Sequence, residues 1–191
     1  MALPDTAKIV RGTTQVFSNT SEYVPTVIAG APTGTDADID LGALATGGYA
    51  RQSVKLDLGA ANLDIEYEME AYIEWHSAPA AGGTVDFYLG FSDNATAGSN
   101  NPGGLNGTDA AFQGYGADLA SGTEALPLLQ YIGSLVATAD ATVQHCSVGN
   151  FTPKDRYCCL VVVNNSSVNL ANTDAIETCV AITPLQYQVQ D

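Results

Sequence analysis

The sequence predicts an all-β fold, an antiparallel β-sandwich of jelly-roll type with an N-terminal arm and one long loop. Apolar and polar residues alternate through residues 64–76 and again through 85–91, which is the period of strands with one buried face. Residues 157–163 are apolar throughout, as expected for a central strand covered on both faces. No segment carries the periodicity of a helix longer than about two turns.

The remaining strand signals belong to one structural domain of 191 residues. Residues 1–47 carry weaker signals and loops rich in Gly, Thr and Asp, so we expect an N-terminal arm and edge strands that pack on the sandwich. Residues 48–191 form the sandwich core, in which segments 64–76 and 85–91 are expected to pair as a hairpin. The further predicted strands are 7–10, 15–17, 24–28, 53–58, 128–136, 142–148, 156–164 and 177–187.

Residues 93–124 form the long loop, which is rich in Gly, Asn, Ala and Asp and has little periodicity. A short helical turn is expected near residues 108–113. So long an irregular segment is unusual inside a compact domain and often carries function. We therefore place candidate partner-binding residues in this loop, namely Asn100, Asn101 and Leu105.

The chain is strongly acidic, with 21 Asp and Glu against 6 Lys and Arg and a formal net charge of -15. It offers few cations to phosphates or anionic lipids, so we expect neither nucleic acid nor a membrane as partner. The acidity could serve solubility alone, or it could suit a position on the outside of an assembly. No apolar segment reaches the length of a membrane span, and the N-terminus lacks the pattern of a signal peptide.

Glu66, Glu68 and Glu70 share one face of the strand predicted at residues 64–76, spaced about 7 Å apart. Paired carboxylates at such a distance cleave glycosides in some enzymes, but the acid of the pair must be buried so that its pKa rises. Three like charges along one strand favour a solvent-exposed face instead. The other interpretation is a binding face that awaits basic groups from a partner.

Residues able to support nucleophilic catalysis are few. The two histidines are His76 and His145, and the neighbours His145 and Cys146 point to opposite faces of a strand, so they cannot form a dyad. The four cysteines have no CxxC spacing, so we predict free thiols and no zinc site. The sequence therefore predicts no enzyme and no cofactor.

Asp36, Asp38 and Asp40 stand at alternate positions, like the first ligands of a calcium loop. An EF-hand needs Gly and Glu at two later positions, where this chain has Leu41 and Gly47. The EF-hand is therefore excluded, and the three aspartates remain a weak candidate for a cation site on a loop.

The C-terminal part of the chain combines an arginine–tyrosine strand, a V-V-x-N turn and a final "TP" strand. The residues of this pattern are Arg156, Tyr157, Val162, Val163, Asn164, Leu170, Thr183 and Pro184. Upstream, residues 67–97 contain a strand, an "APAAGG" loop and a "VDFYLG" strand. These features, spread over residues 52–190, resemble small structural proteins encoded by tailed bacteriophages, whereas the part before residue 52 is unmatched.

The resemblance implies a virion protein without enzyme activity. The expected role is a capsid decoration (cement) protein on the outside of the head, which binds the major capsid protein and neighbouring copies of itself, with a trimer as the expected oligomer. In that role the N-terminal arm would contact the partner through Lys8, Arg11 and Val16. The alternative is a carbohydrate-binding or structural module of a phage tail or fibre.

Overall fold

The computed structural model describes residues 6–26, 30–42, 44–60, 65–170 and 176–190. Two six-stranded sheets enclose a hydrophobic core, which confirms the predicted all-β sandwich. Sheet A contains β1 (Thr6–Arg11), β2 (Gln15–Ser18), β3 (Thr35–Asp38), β6 (Glu66–Ile73), β10 (Gln144–Phe151) and β12 (Cys179–Gln190). Sheet B contains β4 (Tyr49–Gln52), β5 (Leu56–Asp57), β7 (Thr84–Ser92), β8 (Ala110–Ala111), β9 (Gln130–Val136) and β11 (Tyr157–Asn165). The described helical elements are α1 (Leu119–Ala125) and the 3-10 turns Pro102–Gly104 and Leu126–Leu128.

The order of the strands is that of a jelly roll. Sheet A runs β10-β6-β12-β2-β3, with β1 paired to β12, and sheet B runs β8-β4-β11-β7-β9, with β5 paired to β11. Without β1, β3, β5 and β8, the two sheets have the orders β10-β6-β12-β2 and β4-β11-β7-β9, which are those of the two sheets of a jelly roll. The described pairings are antiparallel except that β2 and β3 run parallel.

The alternating strands bury the residues that the sequence pattern assigns to the core. Tyr67, Met69, Ala71 and Ile73 of β6 are at most 1% exposed, while the glutamates between them face outward. On β7, Val85, Phe87 and Leu89 are fully buried in the same cluster. Each such large apolar side chain contributes about 1.5–3 kcal/mol when it leaves water, so the two strands anchor the core.

β11 is covered on both faces, as predicted. Cys158, Leu160 and Val162 belong to the core between the sheets, whereas Cys159, Val161 and Val163 belong to a second cluster on the outside of sheet B. The long loop supplies the cover of that second cluster. Its contributing side chains are Leu105, Phe112, Ala125 and Leu129. Residues 93–129 therefore form an ordered outer layer, which we call the loop layer, instead of an irregular insertion.

Several local expectations are wrong. β6 and β7 do not form a hairpin, because they lie in different sheets and the chain crosses the sandwich between them. The helical turn expected near residues 108–113 lies instead at Leu119–Ala125. The strand expected at 24–28 is absent from residues 24–26, and residues 27–29 lie outside the described chain. No helix in the described part of the chain is long and apolar enough to cross a membrane.

Candidate functional site

The glutamate row lies on the outer face of sheet A, where it meets basic groups from its own chain. Arg11 of β1 donates a hydrogen bond to Glu68, and its Nη1 lies 3.7 Å from Glu70 Oε2. His145 Nε2 lies 3.4 Å from Glu70 Oε1, and the His145 ring stacks on Tyr72 with centroids 4.2 Å apart. The Glu68 and Glu70 side chains are 19% and 22% exposed, so the row is a partly covered polar network.

Glu66 continues this network toward the end of the sheet. Its carboxylate accepts hydrogen bonds from Asn150 Nδ2 at 3.0 Å and from the Tyr187 hydroxyl at 2.9 Å. The basic groups that the second interpretation assigned to a partner are thus supplied internally for Glu68 and Glu70. All three glutamates of the row therefore have partners within the chain.

β1 and the second half of β12 form a two-stranded ribbon beyond the body of sheet A. β12 pairs with β6 as far as Leu185, and residues 186–190 pair only with residues 6–10 of β1 among the described strands. At about 3.3 Å per residue, this ribbon is about 16 Å long. Each of its two strands therefore has one edge that no described strand covers.

The ribbon presents apolar and basic side chains. Ile9 and Tyr187 are partners in the strand register and are 54% and 65% exposed. Lys8 is also exposed, as expected for a binding residue, whereas Arg11 is engaged with Glu68 and Glu70. Val16 lies in β2 and is fully buried against Tyr72 and Cys179, so its side chain contacts the interior of the protein and no solvent-facing surface.

The three candidate residues of the long loop have different positions. Asn100 is exposed, and its Nδ2 donates to Asp93 Oδ1 at 3.0 Å. Asn101 Nδ2 donates to the carbonyls of Ala97 and Leu105 at 2.6 and 2.9 Å, which closes the turn between them. Leu105 is 4% exposed because it packs in the second cluster. Of these three, Asn100 is the residue that presents its side chain to solvent.

Two aspartates of the candidate cation site, Asp38 and Asp40, accept local hydrogen bonds. Asp36 and Asp38 belong to strand β3 and not to a loop. The residue between them, Ala37, is buried in the core. Asp38 accepts from Thr20, and Asp40 accepts from the backbone of Gly42 at 2.9 Å. Among the described residues, no group of three or more His, Cys, Asp or Glu side chains is arranged to hold a metal ion.

The four cysteines are free thiols in different surroundings. Cys158 and Cys159 point to opposite sides of β11, as predicted for strand neighbours. Burial raises the pKa of Cys159 and of Cys179 to about 12, and it raises the pKa of Cys158 as well. Cys146 is half-buried and faces the core, away from its neighbour His145.

We expect iodoacetamide at mildly alkaline pH to alkylate Cys146 first in the folded protein. The other three thiols are buried and form little thiolate, which is the reactive species. Mass spectrometry of peptides sampled over time measures the order of labelling, and a sample unfolded in urea should react at all four positions. Alkylation of Cys179 as fast as Cys146 in the folded protein would contradict this assignment.

The loop layer also forms a groove that the sequence pattern did not indicate. One pocket of about 360 Å³ is lined by Tyr115, Gly116, Glu124, Ala125 and Leu128. A neighbouring pocket of about 160 Å³ shares Leu128 and is also lined by Leu89, Phe91, Pro102, Gln130, Lys154 and Asp155. We call the two pockets together the Tyr115 groove. The available sequence signal was a single aromatic residue flanked by glycines in a polar stretch.

Comparisons with known proteins show no family for this chain. No family model matches the chain, and no curated protein matches it. Among solved structures, the chain is similar to the insecticidal delta-endotoxin Cry8Ea1 of Bacillus thuringiensis, with 10% sequence identity and a TM-score of 0.29. That match covers 76% of this chain and 19% of the toxin chain, so this chain spans less than a fifth of the toxin's length.

Proposed function

We propose that this protein is a capsid decoration protein of a tailed bacteriophage, which binds the outside of the head and stabilises the shell by bridging major capsid subunits. The observation that carries the proposal is the ribbon of residues 6–10 and 186–190, with its two uncovered edges. Uncovered strand edges offer rows of backbone donors and acceptors to another strand. An extended segment of a partner can join such an edge by strand addition.

The charge of the ribbon indicates the kind of strand that it accepts. Residues 6–11 and 186–190 include two cations, Lys8 and Arg11, and no acidic residue. The whole chain, by contrast, has a net charge of -15. Because Arg11 is already paired with Glu68 and Glu70, Lys8 is the cation that the ribbon offers. An acidic or polar edge strand with an apolar residue opposite Ile9 and Tyr187 complements this surface.

The net charge of the protein supports a position outside the shell. A domain with 21 acidic and 6 basic residues is repelled by packaged DNA, so the inner surface of the head is unfavourable for it. Binding only to the assembled shell would stabilise that shell by mass action. Several weak ribbon contacts made by one trimer would add up through their high effective concentration.

The experiment that tests the proposal is reconstitution on shells of the cognate phage prepared without this subunit. We expect saturable binding and a higher temperature of shell disruption, measured by sedimentation and scanning calorimetry. The double variant Lys8→Glu, Ile9→Ser should weaken binding by about tenfold or more, since it reverses the ribbon charge and removes an exposed apolar side chain.

Lys154→Glu is the matched control, because Lys154 is exposed in the turn between β10 and β11. It makes the same change of charge away from the ribbon and should bind nearly as the wild type does. If wild-type protein shows no saturable binding to the shell, the decoration role is rejected. If the ribbon variant binds as tightly as the control, the ribbon is not the docking element.

A further inference from the structure

The Tyr115 groove presents an aromatic side chain to solvent from an ordered turn. Tyr115 is 74% exposed, and Leu128, which borders both pockets, is 57% exposed. The two large apolar side chains border the same pocket. Neither belongs to a core cluster, so both are available to a ligand.

The backbone around Tyr115 packs closely against Gly104. Gly104 has a φ of +73° and approaches so closely that a Cβ there would lie 2.2 Å from the Gly114 carbonyl oxygen and 2.8 Å from the Tyr115 nitrogen. The turn is closed by the bond from Gly116 N to Gln113 O at 3.2 Å. The Tyr115 ring is therefore displayed from a packed turn, which limits the entropy lost when a ligand stacks on it.

Polar groups line the groove on both sides of Leu128. Glu124 lies in the larger pocket, and Gln130, Lys154 and Asp155 lie in the smaller one. Gln130 Oε1 is buried and has no hydrogen-bond partner among the described residues. A buried acceptor without a donor costs free energy, and a ligand hydroxyl entering the smaller pocket would remove that cost.

The chemistry of the groove matches a sugar better than other small ligands. A pyranose ring has an apolar C–H face that stacks on a tyrosine and a rim of hydroxyls that donate to carboxylate and amide oxygens. Both pockets open to solvent, unlike the enclosed cavities that hold flat apolar ligands. Two carboxylates against one ammonium leave the groove with a net negative charge, so an acidic sugar would be repelled.

We propose that the Tyr115 groove binds a neutral saccharide, with one pyranose ring stacked on Tyr115 against Leu128 and hydroxyls donated to Glu124 and Gln130. The proposal does not depend on the capsid role, because the groove lies in the loop layer of sheet B and the ribbon extends from sheet A. A subunit that holds the shell by its ribbon would leave this groove free to contact glycans.

The test uses saturation-transfer NMR on the purified wild-type protein. The probes are methyl glycosides of glucose, galactose and mannose, N-acetylglucosamine and maltotriose, with glucuronic acid as the acidic contrast. We expect at least one neutral probe to give a signal that titrates at millimolar concentration. Tyr115→Ala should weaken that binding by about tenfold, whereas Tyr115→Phe retains the stacking face and should retain binding.

Tyr49→Ala is the matched control, because Tyr49 is 52% exposed on β4 and lines neither pocket. Thermal unfolding of each variant checks that the fold is intact. The proposal is rejected if none of the neutral probes binds, if glucuronic acid binds as well as they do, or if Tyr115→Ala and Tyr49→Ala have the same effect. These results are separate from shell binding, so each proposal can fail alone.

Discussion

Replacing Asn164 by alanine is expected to lower the free energy of unfolding by about 3–5 kcal/mol. Asn164 is fully buried at the end of β11. Its Nδ2 donates to the carbonyls of Leu44 and Val168 at 3.0 and 2.9 Å, and its Oδ1 accepts from the backbone and hydroxyl of Ser166. Alanine would remove the four hydrogen bonds of this buried side chain: the Ser166 N–H loses its partner, while the Leu44 carbonyl keeps only Leu170 N and the Val168 carbonyl keeps only Ser166 Oγ.

Asn165→Ala is the control for this change. Asn165 is the next residue along β11, but it is exposed and makes one side-chain bond, to Asp86 at 2.7 Å. Its loss should cost less than about 1 kcal/mol. Urea unfolding followed by fluorescence and circular dichroism measures both variants. Equal destabilisation by the two changes would show that the buried hydrogen bonds of Asn164 do not determine the difference.

Replacing Lys55 by methionine is expected to destabilise the loop layer by about 2–4 kcal/mol. The Lys55 Nζ lies within hydrogen-bond distance of four oxygens, which are Ser92 Oγ at 3.2 Å and the carbonyls of Asn94, Thr96 and Ser99 at 2.9, 2.8 and 3.0 Å. A charged donor at the centre of these oxygens fixes the first turn of the layer. Methionine has a similar length but offers no donor, so the three carbonyls would lose their charged donor. Thr96 O would keep the Ser99 N–H, and the other two carbonyls would share the Ser92 hydroxyl.

Amide hydrogen exchange shows where the Lys55 variant has changed. We expect faster exchange in residues 93–107 and little change in β6 and β12, since those strands lie in the other sheet. Lys154→Met, a change at an exposed lysine, should leave exchange in this segment as it is in the wild type. Unchanged exchange in residues 93–107 of the Lys55 variant would show that the ammonium does not hold the turn.

The parts of the fold that the sequence predicted are those in which burial repeats along the strand. β6 and β7 each bury one face, and β11 buries both, so the pattern of apolar residues reports their surroundings directly. The alternation of apolar and polar residues does not predict which strands pair with each other. β6 and β7 follow each other in the chain, yet β6 pairs with β10 and β12 while β7 pairs with β9 and β11.

The loop layer could not be predicted because its buried residues have no period. Leu105 and Phe112 stand alone in polar stretches, and each is buried because it meets the outer face of β11. The same limit affects the candidate site. Of the residues assigned to binding, Lys8 is exposed whereas Val16 and Leu105 are buried, and the Tyr115 groove depends on segments that approach only after folding.

The position of β12 in sheet A has a consequence for the order of folding. β12 is the last described strand in the chain, yet it lies between β6 and β2 in the sheet. During synthesis, therefore, β2 and β6 have no central neighbour until β12 has left the ribosome. Such long-range closure slows folding and leaves strand edges open to other nascent chains. The arrival of β12 thus completes the centre of sheet A and covers the edges of β2 and β6.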